Sequence, residues 1–342
     1  MRNKRYIYFD LLKIISAVFV IFNHSHQYLK GTGIWFNIFH MASFNIVKIA
    51  VPIFIMITGA LMLKKKCTYE IILKKRILRV YIATFISTIV GCLFFKLSFF
   101  STLLKTFFGA QTSVLYFLWY MYLLITLYLL TPILKRMIRG YKDKDYRTFF
   151  VIFIIIPSTI YFISNFFELV LVKYKLMENL FYQFLYLVYV GYFVFGYYIS
   201  KKEIDMETNK KALICNFCAF MVGNIYLGIG FINNHDIVEL FCTGITTAVM
   251  SMCTFISFKY YFGKLKYGNF FSKVIVNMSE SSFGVYLMHL YVIEYLVNTK
   301  FIANLMSFNN LIGYGTLISI TYFSLTLFFY LIRKIPIFRK IF

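Results

Sequence analysis

The chain has 342 residues, of which 61% are hydrophobic, 21% aromatic and only 14% charged, and its formal net charge is +23. A soluble domain is about half apolar and about a quarter charged, so this composition excludes an ordinary globular protein and indicates a multi-pass α-helical membrane protein. The positive charge could suggest nucleic-acid binding, but it is concentrated in loops on one side of the predicted spans, which is typical of membrane topology instead.

Ten apolar segments approach the roughly 20 residues that a helix needs to cross a bilayer. They cover residues 7–29, 45–63, 80–97, 114–134, 148–167, 181–200, 212–232, 239–262, 282–298 and 311–332. With a cytoplasmic N-terminus, 28 of the 36 Lys and Arg residues face the cytoplasm and six face outward, as the positive-inside rule requires. We therefore expect an all-α integral membrane protein, residues 1–342 in one domain, with about ten transmembrane helices and both termini cytoplasmic. The first span has no small-residue cleavage site after it, so we expect it to be retained.

The first span contains titratable residues within an apolar helix, in the stretch "DLLKIISAVFVIFNHSHQ". Lys13 and His24 are separated by about 16 Å along a helix but by only about 20° around it, and Asp10 lies about 40° from the same face. Ionised groups at membrane depth cost at least a few kcal/mol, so this stripe is expected to face a protein-lined interior. The alternative is that Asp10 and Lys13 pair at the inner interface while His24 and His26 cap the outer end.

Two further stretches carry small or basic residues. The second span, "VPIFIMITGALML", contains Thr58 and Gly59, small residues that permit close helix packing or a re-entrant approach. The segment 64–80, "KKKCTYEIILKKRILRV", alternates apolar residues with a basic face, which suits an amphipathic cytoplasmic helix at the inner interface. Its alternative interpretation is a simple anchor for anionic lipid headgroups.

Aromatic and histidine residues mark the fourth and ninth spans. The fourth, "YFLWYMYLLITLYLLTP", has Trp119 and Tyr120 near one end, as in an ordinary aromatic belt. The ninth, "SSFGVYLMHLYVIEYL", places His289 in an apolar run, where a histidine more commonly makes a structural hydrogen bond between helices. Cys215 and Cys218 form a lone CxxC that no second pair or histidine cluster completes, so they are interpreted as packed apolar residues and no metal is expected.

Five short motifs in this order resemble the acyltransferase-3 family of integral membrane acyltransferases. They are D-x-x-K-x10-H (Asp10, Lys13, His24), "VPIFIMITG" (51–59), "KKRILRV" (74–80), "LWYMYLLITLYLLTPIL" (118–134) and "SSFGVYLMH" (281–289). The resemblance implies transfer of an acyl group, usually acetyl from acetyl-CoA, to a hydroxyl of a cell-surface or lipid-linked saccharide. Some relatives carry an extracytoplasmic hydrolase-like domain, for which this sequence shows no segment.

The resemblance also implies site residues. The family's essential basic residue and histidine correspond to Lys13 and His24, its serine-glycine pair to Thr58 and Gly59, and its basic loop motif to Arg76 and Arg79. The basic residue is usually arginine, and lysine keeps the charge but lacks the bidentate fork. Thr58 likewise replaces the usual serine.

These considerations give one set of expectations for the site. We expect the catalytic residues to be His24, Lys13 and Asp10, with His24 as the base, or alternatively as the nucleophile of an acyl-histidine intermediate. We expect Arg76, Arg79, Thr58 and Gly59 to bind the donor, and Trp119, Tyr120 and His289 to bind the acceptor. Acetyl-CoA serves as a substrate, with no bound cofactor and no metal. Its other partners are the saccharide acceptor and membrane lipid, not nucleic acid.

The amino-acid composition also predicts the membrane in which the protein lies. The abundance of Ile, Phe, Tyr, Asn and Lys is typical of A+T-rich bacterial genomes and indicates a bacterial plasma membrane.

The alternative function is a transporter or flippase for a lipid-linked saccharide, since intramembrane charges and basic inner loops suit that too. A transporter would more often show inverted repeats, and none is evident in the sequence.

Overall fold

A computed structural model gives the structure of the protein and describes residues 5–64, 68–109, 114–171, 178–232, 243–265, 268 and 270–342, with the backbone alone for residues 164–171, 178–185, 232 and 270. Every regular element in these residues is helical, which confirms the all-α prediction. The helices are α1 (Ile7–Ser25), α2 (Ile34–Val47), α3 (Ala50–Met62), α4 (Tyr69–Ile71), α5 (Leu78–Phe95), α6 (Phe99–Phe107), α7 (Trp119–Met137), α8 (Asp143–Phe150), α9 (Ile156–Leu171), α10 (Glu178–Lys201), α11 (Met206–Ile232), α12 (Ile245–Phe262), α13 (Phe270–Val297), α14 (Lys300–Phe308), α15 (Asn310–Ile332) and α16 (Pro336–Ile341). Short 3-10 turns lie at His26–Tyr28 and Tyr116–Leu118, and π-helical segments lie at Ile72–Ile77 and Val151–Ile155.

Seven helical stretches of the described residues are long and apolar enough to cross a membrane. They are Ile7–Tyr28, Ile34–Met62, Tyr69–Phe95, Tyr116–Met137, Asp143–Ile163, Met206–Phe231 and Asn310–Ile332. The other three predicted spans coincide with α10, α12 and α13, which have 24, 18 and 28 residues, although residues 239–242 of one predicted span lie outside the described residues. The total of ten spans and the cytoplasmic termini stay predictions.

Two boundaries differ from the sequence prediction. The second span begins at Ile34, earlier than 45, because α2 already forms a mostly apolar helix that α3 continues after a short break. The basic segment predicted at 64–80 does not form a helix of its own in its described part, residues 68–80. Instead α4, the π-helical segment and α5 run as one continuous helix, Tyr69–Phe95, while residues 65–67 lie outside the described residues.

The chain divides into two compact units. The first contains Met1–Asn23, Gly31–Lys64 and Ile138–Ser272, and the second contains His24–Lys30, Lys65–Met137 and Lys273–Phe342. In the first unit, α3 and α10 cross so closely that glycine is needed on both helices. A Cβ atom at Gly59 would meet the carbonyl oxygen of Phe193, and one at Gly196 would meet that of Met56. Small residues that let two backbones approach are the usual means of packing membrane helices.

In the second unit, polar side chains fix α5 against α13. The Ser87 hydroxyl donates to the carbonyl oxygen of Leu287 at 2.8 Å, and the Tyr291 hydroxyl donates to the carbonyl oxygen of Ser87 at 2.8 Å. Gly91 leaves room for this contact, since a Cβ there would lie 3.0 Å from the Tyr291 hydroxyl oxygen. Hydrogen bonds of this kind satisfy polar groups that have no water in the membrane interior. They set the position of the α13 segment that carries His289.

Candidate active site

Two histidines lie side by side in the second unit. His24 is in the last turn of α1, and His289 is in the middle of α13. Their ring centroids are 4.9 Å apart and the rings are tilted by 50°. His289 is fully buried, whereas His24 is partly exposed. The structure therefore brings together a residue predicted as the catalytic base and one predicted to bind the acceptor.

His24 has a tyrosine hydroxyl on one of its ring nitrogens. Its Nδ1 lies 2.9 Å from the hydroxyl oxygen of Tyr116, and either atom can be the donor. The Tyr116 side chain is 46% exposed. When Nδ1 donates this hydrogen bond, Nε2 keeps its lone pair and can accept a proton, which is what a general base requires.

The tautomer of His289 is set by a backbone carbonyl. Its Nδ1 lies 2.6 Å from the carbonyl oxygen of Tyr286, one turn earlier on α13. A carbonyl only accepts, so Nδ1 carries the proton and Nε2 of the neutral ring carries a lone pair. This Nε2 is buried and has no hydrogen-bond partner among the described residues.

The 3-10 turn Tyr116–Leu118 arranges both histidines. Tyr116 supplies the hydroxyl that meets His24, and the carbonyl oxygen of Phe117 accepts a hydrogen bond from the Tyr286 hydroxyl. The Phe117 ring also meets the His289 ring edge-on, with centroids 5.4 Å apart. Two consecutive residues of one turn thus hold the two imidazoles in place.

The sequence predictions missed these supporting residues. The sequence analysis assigns no role to Tyr116 and Phe117, which belong to an aromatic run typical of an interfacial belt. The position of Tyr286, one helical turn before His289, was a signal that could have identified it. Tyr120, which was predicted to bind the acceptor, packs on Tyr286 at 5.1 Å, and Trp119 packs edge-on against Tyr120 at 6.3 Å. Tyr286 therefore lies between Tyr120 and the histidine pair.

The segment after His24 is tied to α13 and α15. The Ser25 hydroxyl lies 3.3 Å from that of Tyr314, and the Tyr28 hydroxyl donates to Glu294 at 2.9 Å. Asn310 adds a side-chain hydrogen bond to the carbonyl oxygen of Tyr28 at 3.2 Å. These bonds fix the backbone on which His24 sits.

Asp10 and Lys13 lie in the first unit, within a cluster of charges. Asp10 is 1% exposed and receives a bidentate interaction from Arg5, whose Nε lies 2.8 Å from Oδ2 and whose Nη2 lies 2.9 Å from Oδ1. Lys13 Nζ lies 3.8 Å from Oδ1. The sequence counted Arg5 only as a basic terminal residue, because its spacing of five from Asp10 matches no helical pair. The Asp10–Lys13 pairing itself was one of the two alternatives.

The two predicted donor-binding arginines lie in the second unit, and Arg79 has defined backbone partners. Its Nε donates to the carbonyl oxygen of Ile341 at 2.8 Å and its Nη2 to that of Phe342 at 2.9 Å. These contacts cap the end of α16, where unsatisfied carbonyls attract a cation. Arg76 and Arg333 lie close enough to act on the charge of Arg79. This gives the second unit a concentration of positive charge at the start of α5.

Thr58 and Gly59 lie in the first unit, where both have packing roles. The Thr58 hydroxyl donates to the carbonyl oxygen of Phe54 at 2.8 Å, and Gly59 lies at the crossing of α3 with α10. Cys215 and Cys218 are unpaired and lie on an exposed face of α11, unlike the packed positions expected for them. Among the described residues, no group of three or more His, Cys, Asp or Glu side chains could hold a metal ion.

Comparison with known proteins assigns the family. No curated protein and no solved structure matches the chain. The family model described as an acyltransferase domain matches residues 6–333, nearly the whole chain. The match includes the two histidines His24 and His289, the pair Asp10 and Lys13, and the basic residues Arg76 and Arg79. The protein thus belongs to the acyltransferase-3 family of integral membrane acyltransferases.

Proposed function

We propose that the protein is an O-acyltransferase of a bacterial plasma membrane. It moves an acetyl group from cytoplasmic acetyl-CoA to a hydroxyl of a cell-surface or lipid-linked saccharide. The observation that carries this proposal is the His24 imidazole, held at Nδ1 by Tyr116 and flanked by His289, in a chain of the acyltransferase-3 family. An imidazole is the side chain best suited to take and return a proton near neutral pH.

His24 acts as a general base and then as a general acid in this proposal. Its Nε2 takes the proton of the acceptor hydroxyl while the oxygen attacks the carbonyl carbon of the thioester. The carbon–sulfur bond breaks, and the departing CoA thiolate takes the proton back from His24. The products are an acetyl ester and CoA thiol, so the reaction consumes no further reagent. Proton transfer by a positioned side chain contributes about 10²- to 10⁴-fold to a rate.

The basic residues of the second unit suit the phosphates of the donor. Guanidinium groups bind phosphate oxygens through charge-assisted and often bidentate hydrogen bonds. Since Arg79 holds the end of α16, we expect Arg76 to contribute more to donor binding. An Arg76→Gln variant is expected to raise KM for acetyl-CoA at least about tenfold with a smaller change in kcat, because a charge-assisted hydrogen bond is worth about 1.5–3 kcal/mol.

The remaining predicted residues stay part of the proposal in defined roles. The half-buried ring of Trp119 offers an apolar face against which a saccharide can pack, and the ring of Tyr120 contacts it edge-on. Lys13 is a proposed catalytic residue, and Asp10 is proposed to contribute to catalysis by positioning Lys13 through their ion pair; both are tested by their own variants. Thr58 and Gly59 are proposed to act in donor binding.

The proposal is tested by CoA release from the purified protein in lipid nanodiscs, with acetyl-CoA and candidate glycans. Wild type is compared with His24→Ala and with the matched control His40→Ala, a histidine on α2 that has no role in the proposed chemistry. We expect wild type and the control to release CoA and His24→Ala to be at least about 100-fold slower.

Two outcomes would overturn the proposal. If wild type releases no CoA with any acceptor, the transport of lipid-linked saccharides becomes the better interpretation and is measured in liposomes. If His24→Ala is as active as the control while wild type is active, the enzyme does not use His24 as its base.

A further inference from the structure

We propose that Arg333, which Glu280 holds in place, joins Arg76 in binding the ribose phosphate of the acyl-CoA donor. This inference rests on the proposed function, because it extends the donor site of the acyltransferase. Arg333 comes directly after α15, and the sequence analysis assigned it no part in the site.

Two arginines are held next to each other on α13. The carboxylate of Glu280 forms an ion pair with Nη2 of Arg333. The guanidinium carbon of Arg79 lies 5.5 Å from the centroid of the Phe283 ring. Glu280 and Phe283 are three residues apart on α13, so their side chains are neighbours on one face of the helix. Arg76, three residues before Arg79, and Arg333 both lie close enough to act on the charge of Arg79.

This arginine cluster carries more positive charge than the acidic residues of the second unit neutralise. The sequence of this unit contains three acidic residues, Glu70, Glu280 and Glu294. Glu70 forms an ion pair with a lysine four residues later, and Glu294, near the other end of α13, accepts a hydrogen bond from a tyrosine hydroxyl. The carboxylate of Glu280 thus lies beside a group of three guanidinium cations. Like charges repel strongly where water is scarce, so an anion that enters the cluster is bound favourably.

Hydrogen-bond donors of the cluster are available to such an anion. Among the nitrogens of Arg333, only Nε is enclosed without a partner in the described part of the chain. Since Nη1 has no hydrogen bond there either, it keeps exposed surface, and the side chain as a whole is 16% exposed. Arg76 is half-buried and forms no ion pair with the described residues. Arg79, in contrast, uses Nε and Nη2 to hold the end of α16.

The ligand chemistry that fits this cluster is a phosphate monoester. Such a group is close to doubly ionised at neutral pH, so it can accept hydrogen bonds from two guanidinium groups and balance both charges. Acyl-CoA carries a phosphate monoester on its ribose. The predicted topology places the start of α5 and the end of α15 at the cytoplasmic side, where acyl-CoA is found. A lipid headgroup is the other source of phosphate, but its phosphodiester has a single charge and fits the cluster less well.

The test compares the binding of CoA with that of dephospho-CoA, which lacks the ribose phosphate, by isothermal titration calorimetry. The full-length protein is held in nanodiscs of phosphatidylcholine, which has no net charge, and no acceptor is present. A charge-assisted hydrogen bond contributes at least about tenfold to binding. We therefore expect wild type to bind CoA about 100-fold more tightly than dephospho-CoA, and Arg333→Gln to reduce this preference to about tenfold. The matched control, Lys334→Gln, removes the exposed neighbouring cation and is expected to keep the wild-type preference.

Two further variants make the result independent of one substitution. Arg76→Gln is expected to reduce the preference as Arg333→Gln does, and the double variant is expected to bind both ligands about equally. Loss of Arg333 leaves Glu280 without this ion-pair partner, so Arg333→Gln can fail to fold. In that case Arg333→Gln combined with Glu280→Gln removes both charges of the pair, and the same ratio of affinities decides.

Two results would overturn the inference. If Arg333→Gln prefers CoA as strongly as the control does, Arg333 does not bind the ribose phosphate. If wild type binds CoA and dephospho-CoA equally well, the cluster is not a site for this phosphate. A melting temperature that then rises with phosphatidylglycerol in wild type, but not in Arg333→Gln, identifies a lipid headgroup as the ligand instead.

Donor binding and acyl transfer are measured separately, so the inference and the proposed function can fail independently. A wild type that releases CoA while Arg333→Gln keeps the full preference contradicts only the inference. A protein with the expected preferences that transfers no acetyl group to any acceptor contradicts the proposed reaction but not the phosphate site. A wild type that binds neither ligand contradicts both.

Discussion

The two ends of α1 carry polar groups of different kinds. Near its start, the buried carboxylate of Asp10 is held on both oxygens by Arg5, with Lys13 3.8 Å away. At its other end, the His24 ring has a hydroxyl and a second imidazole as neighbours. A carboxylate paired with fixed cations has its lone pairs in use, whereas an imidazole can take up and return a proton.

The sequence analysis assigned Asp10, Lys13 and His24 to one polar stripe of α1. The difference between the two ends indicates that one serves stability and the other proton transfer. An ion-paired carboxylate is retained because breaking the pair leaves charges without a partner. An imidazole with one hydrogen bond to a tyrosine hydroxyl contributes less to the fold and more to proton transfer. We therefore predict that removing the Asp10 carboxylate alters mainly the stability, and that changes at the histidine end alter mainly the rate.

The largest effect on stability is predicted for Asp10→Ala. It removes the carboxylate that Arg5 and Lys13 share, and loss of one partner of a buried ion pair costs about 3–5 kcal/mol. Since the Arg5 side chain is 36% exposed, we expect the lower end, about 3 kcal/mol. The free energy of unfolding is measured by SDS titration in mixed micelles with circular dichroism.

His24→Ala is the comparison variant at the other end of the helix. Its free energy of unfolding is expected to fall by about 1 kcal/mol, the value of one hydrogen bond, while its activity falls at least 100-fold as proposed above. An Asp10→Ala protein that is as stable as wild type but inactive would reverse the comparison. Asp10 would then be primarily catalytic, as the sequence predicted.

Gly59→Ala is predicted to be next in size. The added methyl group meets the Phe193 carbonyl oxygen on α10, which is backbone and cannot rotate away, so the crossing has to widen. Overpacking of this kind costs typically about 1–3 kcal/mol. We expect a loss of about 2 kcal/mol by the same titration, whereas Thr58→Ala is expected to lose under about 1 kcal/mol. An unchanged stability with a raised KM for acetyl-CoA would instead support donor binding by this pair.

The sequence predicts the fold class well because hydrophobicity and helical length are local properties. Apolar runs of about 20 residues predict the spans, and the motifs that resemble the family contain His24 and His289. What it cannot give is the contact of residues distant in the chain, such as Tyr116 with His24 or Phe117 with Tyr286. The contacts of Tyr116 and Phe117 arise from a 3-10 turn whose aromatic sequence is that of an ordinary interfacial belt.

The contact of Arg5 with Asp10, at the charged end of α1, is another contact that the sequence does not reveal. Periodicity relates residues three or four apart on a helix, so it finds Asp10 with Lys13 but not Asp10 with Arg5. The arginine lies before α1 begins, where the chain is not helical, and its contact depends on how the chain enters the helix. Likewise the glycine requirement at position 59 depends on α10, which is more than a hundred residues away.

Tyr116→Phe is expected to have a smaller effect on kcat, and it tests whether Tyr116 orients His24. It removes the hydroxyl that holds Nδ1 of His24 but keeps the ring. One such hydrogen bond is worth about 1 kcal/mol, or about a fivefold change in rate. We expect kcat for CoA release to fall about fivefold, with little change in the free energy of unfolding. A rate equal to that of wild type would mean that Tyr116 does not orient the base.

Lys13 is predicted to contribute least to stability. Its ammonium lies at the far limit of an ion pair with Asp10, and its side chain is 27% exposed, so Lys13→Ala is expected to lower the free energy of unfolding by only about 0.5 kcal/mol. The family resemblance nevertheless assigns it the essential basic position, where arginine is usual. Lys13→Arg keeps the charge and is expected to keep the activity, whereas Lys13→Ala is expected to lose it. If both variants release CoA at the wild-type rate, Lys13 has no catalytic role and is only an additional ion-pair partner of Asp10. If Lys13→Ala is stable but inactive, as expected, the charged end of α1 has a catalytic member, and the boundary between the stabilising and the catalytic residues lies between Asp10 and Lys13.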